Sequence, residues 1–379
     1  MKVQRVLQGR GKLEKLPDLM EKCGINRPMI VGGKTLIARL LRKNPSLLSA
    51  PVFSGYHANP DATDAKHGAE LFRKENCDGL ISIGGGSAMD TAKTVKALLA
   101  AGGKETLPDL TALAAGEMKT PHIAIPGTAG TGAEATQFAV MYLEGVKKSL
   151  SHPDLLPEGA LLDADLLDSL PDYHRKSCAM DALSQGIESY WSAGADDDSR
   201  VHAFLAILGV LDNLTAYLKG DPHAAEEMLD ASYQSGKAIQ ITRTTAAHAM
   251  SYQITKLLGP AHGHACMLTL PYLWEAMIGR EDCKERLRDL AEKMRLGDVT
   301  MGPRLLKGIL YTLELEIPRM PDTETMDRLV SSVDPERLGN HPMPLSREEI
   351  REIYTQAFTK VREPELQACL DIWKYYGRR

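Results

Sequence analysis

Short apolar runs that stop at glycine or turn residues recur through the first part of the chain. Pro28-Met29-Ile30-Val31 runs into Gly32-Gly33, Gly79-Leu80-Ile81-Ser82-Ile83 into Gly84-Gly85-Gly86, and His122-Ile123-Ala124-Ile125 into Pro126-Gly127. Residues 35–43 and 62–75, between these runs, show helical spacing. Such alternation predicts a parallel sheet covered by helices. Ligands of these sheets bind at the carboxyl ends of the strands, where the glycines fall. Further short runs cover 138–143 and 160–163. Beyond about residue 170 the pattern changes. Residues 201–218, 224–255 and 346–376 carry helical spacing with few β-branched runs. The expected architecture is an α/β domain over 1–169 and an all-helical domain over 170–379, packed with a cleft between them.

Composition narrows the function classes. A chain of 379 residues is long enough for two domains of ordinary size. Its 43% hydrophobic and 25% charged residues are those of a globular protein. A formal charge of -5 argues against nucleic acid as partner, because neutralising many phosphates needs a basic surface. The six cysteines, at 23, 77, 178, 266, 283 and 369, include no C-x-x-C pair. They read as buried or idle thiols in a reducing cytoplasm. The segment MKVQRVLQGRGKLEKLPDL has no apolar core of signal-peptide type. No run is read as long and apolar enough to span a bilayer, so a cytoplasmic protein without a membrane partner is expected.

Two glycine-rich turns carry candidate chemistry. In Ile83-Gly84-Gly85-Gly86-Ser87-Ala88-Met89-Asp90-Thr91-Ala92-Lys93 a predicted strand opens into a predicted helix. Glycine lets backbone N–H groups approach a phosphate, and the helix start adds donors and partial positive charge. Met89 stands where G-x-G-x-x-G would have its third glycine. The second turn, Pro126-Gly127-Thr128-Ala129-Gly130-Thr131-Gly132-Ala133-Glu134, offers small residues and two hydroxyls against which a flat ring and a diphosphate can lie. Downstream, Asp181, Gln185 and Glu188 share one face of a predicted helix. His248 and the run Gly259-Pro260-Ala261-His262-Gly263-His264 follow. One aspartate with two imidazoles is ligand chemistry for Fe²⁺ or Zn²⁺.

At these residues the chain resembles the iron-containing (group III) alcohol dehydrogenase family. The segments GGGSAMDTAK, IPGTAGTGAEAT, MDALSQGIESYWS and HAMSYQITKLLGPAHGHACMLTLP carry the likeness, in order and over nearly the whole chain. The resemblance implies a dinucleotide-binding domain followed by a helical domain, a fold shared with dehydroquinate synthase, with catalysis in the cleft. It implies cofactor contacts at Gly85, Gly86, Ser87, Asp90, Thr128 and Thr131. It also implies a divalent metal held by an aspartate and three histidines. Asp181, His248 and His262 fall on three of those positions and Gln185 on the fourth. Gln185 then either coordinates poorly or leaves a site of three protein ligands, as in related glycerol dehydrogenases. Where relatives often carry a further histidine, this chain has Tyr252. Many NAD-preferring relatives have an acidic residue after the first strand. Here Gly33 takes that position and Lys34 follows, which implies NADPH as cofactor, with NADH the alternative.

A narrower likeness, in Ser149-Leu150-Ser151-His152-Pro153 and Arg243-Thr244-Thr245-Ala246-Ala247-His248 among others, is to the phosphonoacetaldehyde reductase branch. It implies reduction of phosphonoacetaldehyde to 2-hydroxyethylphosphonate in phosphonate biosynthesis. Phosphonopyruvate and neutral aldehydes are alternative substrates, and a lyase resembling dehydroquinate synthase is a reading from another class. A phosphonate needs cations, for which Arg243 and Lys237 are the candidates ahead of Lys147 and Lys148. The expected proton donor is Tyr252, His264 or water. A homodimer is expected.

Overall fold

The computed structural model describes residues 3–57, 60–101, 116–143, 146–333 and 335–377. They form two compact units, Met1–Leu170 and Pro171–Arg379. The first is built on a fully parallel sheet. Its strands are β1 (Arg5–Gln8), β2 (Pro28–Gly32), β3 (Val52–Phe53), β4 (Gly79–Gly84), β5 (His122–Pro126) and, after a hairpin, β8 (Gly159–Leu162). Their order is β1-β8-β5-β4-β2-β3. The helices α1 (Leu16–Cys23), α2 (Lys34–Lys43), α3 (Ala62–Lys74) and α4 (Gly86–Ala100) connect them.

The strands β2, β4 and β5 are buried along their whole length, which is why they read as near-continuous apolar runs. Alternation sorts their side chains between two cores. Ile30, Ile81 and Ile123 join residues of α1 and α2 on one face. Met29, Val31 and Leu80 join Phe72 of α3 and Val95 of α4 on the other. The chain leaves β2 outward to β3 and then returns across it to β4. Strand order therefore reverses between β2 and β4, and their carboxyl ends carry Gly32-Gly33 and Gly84-Gly85-Gly86. The predicted run 138–143 is β6 (Phe138–Leu143), which pairs antiparallel with β7 (Val146–Ser151), outside the main sheet.

In the second unit α5 (Asp172–Trp191) is buried almost continuously from Ser177 onward. Around it lie α6 (Asp197–Leu218), α7 (Pro222–Thr242), α8 (Ala246–Leu258) and α9 (His262–Ile278). The chain then continues through α10 (Lys284–Lys293), α11 (Met301–Thr312), α12 (Thr323–Ser331), α13 (Pro335–Leu338), α14 (Arg347–Ala357) and α15 (Glu365–Tyr376).

Three expectations are corrected here. The continuous spacing over 224–255 is broken: α7 ends at Thr242 and Arg243 takes φ 59° and ψ -174°, a region that L residues rarely occupy. The spacing over 346–376 likewise splits into α14 and α15, with Pro364 between them. The third concerns α6, whose 22 residues are long and apolar enough by length and composition to cross a bilayer. In this unit one stripe of it, including Ala203, Ile207, Val210 and Leu214, is buried.

Candidate metal centre and cofactor turns

The two glycine turns meet at the carboxyl end of the sheet. β4 and β5 are paired with Gly84 opposite Pro126, and Gly127 N donates to Gly84 O at 2.8 Å. Gly85 and Gly86 face Thr128 and Thr131: a Cβ on either glycine would sit 3.3–3.4 Å from the threonine methyl. Gly86 begins α4, so Gly85, Gly86 and Ser87 present the helix's first backbone donors. Asp90 lies one turn in. Gly33 caps α2 with open space where a side chain would stand, and Lys34 is the helix's first residue.

A lysine that sequence reading quoted without a role anchors the second turn. Lys93, on α4, is fully buried, and its Nζ donates to the carbonyls of Ala133 (2.7 Å), Thr136 (2.7 Å) and Phe138 (2.8 Å). Burial pushes its ammonium down to about 8, against the opposing pull of Asp90 and Glu134. Burial likewise pushes the Glu134 carboxyl up to about 7.

In the helical unit, one oxygen or nitrogen each from Asp181, His248 and His262, with the sulfur of Cys266, lie within 4.8 Å of one another. Asp181 Oδ1 is 3.3 Å from His248 Nε2 and 3.8 Å from His262 Nε2. These donors come from α5, α8 and the start of α9. Close approach of α9 to α5 requires Gly263, since a Cβ there would lie 2.0 Å from Ser177 O.

Glu188 holds the arrangement. It stands two turns after Asp181 on the same face and is completely buried. Its Oε1 accepts from Thr245 N (3.1 Å), Thr245 Oγ1 (2.6 Å) and Ala247 N (2.8 Å), replacing the side-chain cap that α8 lacks. Its Oε2 accepts a short hydrogen bond from His248 Nδ1, which turns Nε2 toward Asp181. Ser251 Oγ meets His262 Nδ1 at 3.1 Å in the same way. Burial works against the charged forms of all three groups, and the neighbours outweigh it. His248 is held well above the ordinary imidazole range by Cys266 and Glu188. Asp181 is held below the carboxylate range by His262, His248 and Gln185. His248 lowers Glu188.

The donor set suits a divalent transition metal: one carboxylate, two imidazoles whose far nitrogens are hydrogen-bonded, and one thiol. Cys266 is buried, as expected of these thiols, and is also placed where it could serve as a ligand. Its signal was the four-residue step from His262, which places both on one helix face. Gln185 is one turn from Asp181, but its Oε1 accepts from Ser235 Oγ at 2.8 Å and its side chain hydrogen-bonds Asp181.

The remaining candidates separate. Tyr252 stacks on His262, ring centroids 5.4 Å apart and planes 5° apart. His264 points to the other side of α9: its Nδ1 meets Tyr173 OH at 3.0 Å, its Nε2 finds no partner among the described residues, and burial pushes it down to about 4. Arg243 is exposed at the α7–α8 break. Lys237 lies two residues round α7 from Ser235, and its charge acts on His202 of α6. Lys148 is exposed on β7, and the side chain of Lys147 lies outside the described residues. Sequence reading missed Arg337 of α13, whose Cζ lies 5.2 Å over the Tyr252 ring.

Comparison with known proteins decides the family. Residues 3–164 match the iron-containing alcohol dehydrogenase model, and 176–358 match the C-terminal model of the same family. The chain belongs to the iron-containing alcohol dehydrogenase family. It is therefore placed among oxidoreductases, and the lyase reading is set aside. It is 30% identical to lactaldehyde reductase of Escherichia coli over 76% of this chain and 77% of that one. It is 36% identical to phosphonoacetaldehyde reductase of Streptomyces viridochromogenes, where the match spans 60% of each chain. The solved sulfoacetaldehyde reductase of Bifidobacterium kashiwanohense, in complex with NAD⁺, superposes with a TM-score of 0.87 at 26% identity, over 95% of this chain and 98% of that one.

Proposed function

We propose that this family member reduces phosphonoacetaldehyde to 2-hydroxyethylphosphonate, with NADPH as hydride donor and one Fe²⁺ or Zn²⁺ held by Asp181, His248 and His262. The convergence of those three donors, with Glu188 and Ser251 orienting the imidazoles, carries the reading. A phosphonate aldehyde fits two further observations. Relatives that reduce phosphonoacetaldehyde and sulfoacetaldehyde act on aldehydes with an acidic end. Arg243 is exposed five residues before His248. A dianion leaving water needs charge-assisted hydrogen bonds, and a guanidinium offers a fork of them. Lys237, set beside His202, is left out of this assignment.

When bound, the metal supplies Lewis acidity toward the carbonyl oxygen. The chain's own residues do the rest. Gly85, Gly86 and Ser87 cradle the pyrophosphate at the start of α4, while Thr128 and Thr131, on the turn anchored by Lys93, support the nicotinamide. When bound, the nicotinamide would supply hydride to the carbonyl carbon as the carbonyl π pair moves to oxygen. That oxygen takes a proton from the Tyr252 hydroxyl or from water. His264, turned to Tyr173, is not assigned that step. The glycine at 33 leaves room for an adenosine 2′-phosphate, and Lys34 attracts it.

The test is a comparison of kcat/KM for phosphonoacetaldehyde, acetaldehyde and propanal with NADPH and NADH in turn. The reading expects phosphonoacetaldehyde to exceed the neutral aldehydes by about 10²-fold or more, as loss of a charged contact implies. Equal efficiency on all three would make this a general alcohol dehydrogenase, and a strong NADH preference would overturn the roles of Gly33 and Lys34.

A further inference from the structure

A hydroxyl that sequence reading passed over lies beside the first glycine turn. Tyr56 follows β3 in the run Ser54-Gly55-Tyr56-His57. β3 runs parallel to β2 and β4, so this run leaves the sheet at the same carboxyl edge as Gly32-Gly33 and Gly84-Gly85-Gly86. The half-buried Tyr56 ring packs on the core that holds Phe53, Phe72, Leu80 and Val95. Its hydroxyl oxygen is 3.9 Å from where a Cβ on Gly84 would stand. The same Cβ would lie 2.9 Å from that of Ala88, in the first turn of α4. The phenol therefore reaches the junction of β4 and α4, and Gly84, at φ 154°, has no side chain to fill the approach.

The run that carries Tyr56 is clamped. Asp64, buried in the first turn of α3, accepts from His57 N at 3.0 Å and from Asp61 N at 3.3 Å, and it meets His57 Nδ1 at 3.0 Å. The peptide next to Tyr56 is thus fixed, while its hydroxyl makes no hydrogen bond among the described residues. Burial pushes that hydroxyl above the ordinary phenol range, so it keeps its proton and can donate. Tyrosine commonly sets an apolar body in a core and turns its polar tip to a partner. Here the tip lies beside the start of a 15-residue helix, where free backbone donors and partial positive charge attract an anion.

We propose that Tyr56 is a cofactor-binding residue whose hydroxyl donates to the pyrophosphate of the dinucleotide. This rests on the reading that the turn at Gly85 cradles that group. The turn supplies donors fixed in the backbone of β4 and α4. Tyr56 adds a side-chain donor from β3, with β2 standing between the two strands. A hydrogen bond to a charged oxygen is stronger than one between neutral groups. NADPH and NADH share the pyrophosphate, so the contact holds both and does not discriminate between them.

Tyr56→Phe tests this, because it keeps the ring in its core and removes only the hydroxyl; its melting temperature should match the wild type. Kd is measured without aldehyde, for NADPH and NADH by nicotinamide fluorescence and for ADP-ribose by calorimetry. The expected result is a Kd raised about 10-fold or more for all three, the usual weight of a hydrogen bond to a charged group. In phosphorus NMR of bound NADPH the pyrophosphate signals should move between wild type and variant, and the 2′-phosphate signal should stay. Gly85→Ala, which puts a methyl into the cradle, reads the turn itself. If Gly85→Ala weakens ADP-ribose binding and Tyr56→Phe does not, the assignment of Tyr56 is overturned while the turn stands. If neither variant weakens it, the turn reading falls and Tyr56 with it. A loss confined to NADPH would put the hydroxyl on the 2′-phosphate and also overturn the proposal.

Discussion

Gly263→Ala is the sharpest test of how the metal centre is assembled. A Cβ at this position would lie 2.0 Å from Ser177 O, 2.6 Å from Asp181 N and 2.7 Å from Asp181 Cβ. All three atoms belong to the backbone or Cβ of buried α5, so no flexible side chain can swing away. Carbon–oxygen contacts settle at about 3.3–3.6 Å, so the start of α9 must retreat from α5 by roughly 1 Å or more. His262 and Cys266 ride on α9 and Asp181 on α5, so the retreat separates the donors. Overpacking of this kind costs about 1–3 kcal/mol. Misplacing a catalytic group by about 1 Å costs about 10²-fold in rate. The assay compares Gly263→Ala with Gly279→Ala at the other end of α9, where an added Cβ meets nothing within 4 Å. The first should melt lower, retain less metal after dialysis against a weak chelator, and lose about 10²-fold in kcat/KM. The second should match the wild type. Unchanged melting and full metal content in Gly263→Ala would refute the claim that α9 is held against α5 by the missing side chain.

Three other outcomes follow from the geometry. Loaded with Co²⁺, the wild type should show thiolate-to-metal absorption that Cys266→Ser lacks; identical spectra would remove Cys266 from the ligand set. Lys93→Met removes the ammonium to which the carbonyls of Ala133, Thr136 and Phe138 converge, so urea unfolding should show a loss of about 3 kcal/mol and KM for NADPH should rise; wild-type values for both would show that Lys93 does not hold the turn. His341 is buried against Trp191, neither ring nitrogen has a partner among the described residues, and burial pushes it down to about 4. Its folded form takes up a proton only near pH 4, whereas the unfolded chain does so near the ordinary value of about 6.5. Stability is therefore full above pH 6.5 and falls by about 3 kcal/mol as pH drops toward 4. His341→Phe should flatten that part of the melting-temperature profile, and a slope equal to that of the wild type would show another group to be responsible.

Local pattern was enough to read the α/β unit, and residue type was enough to single out Asp181, His248 and His262, which the fold brings together. Strands buried on both faces must be near-continuous apolar runs, and turns that approach phosphate need glycine, so β2, β4, β5 and their turns were legible locally. Asp181 and Glu188 were readable as one helix face because a helix has a fixed period. Where those side chains point depends on long-range packing. The break at Arg243 has neither glycine nor proline to announce it, and just after it Glu188, far away in sequence, caps α8 and orients His248. Cys266 became a candidate ligand, and Gln185 turned to Ser235, because of how α9 and α7 pack on α5. Lys237 and His264 carry suitable chemistry but face away from the cluster. Arg337 lies in a four-residue helix with no motif, and its place over Tyr252 depends on contacts with Thr244 that no local pattern encodes. Residue type fixes what chemistry is available, and direction in space, set by long-range packing, fixes which of it is used.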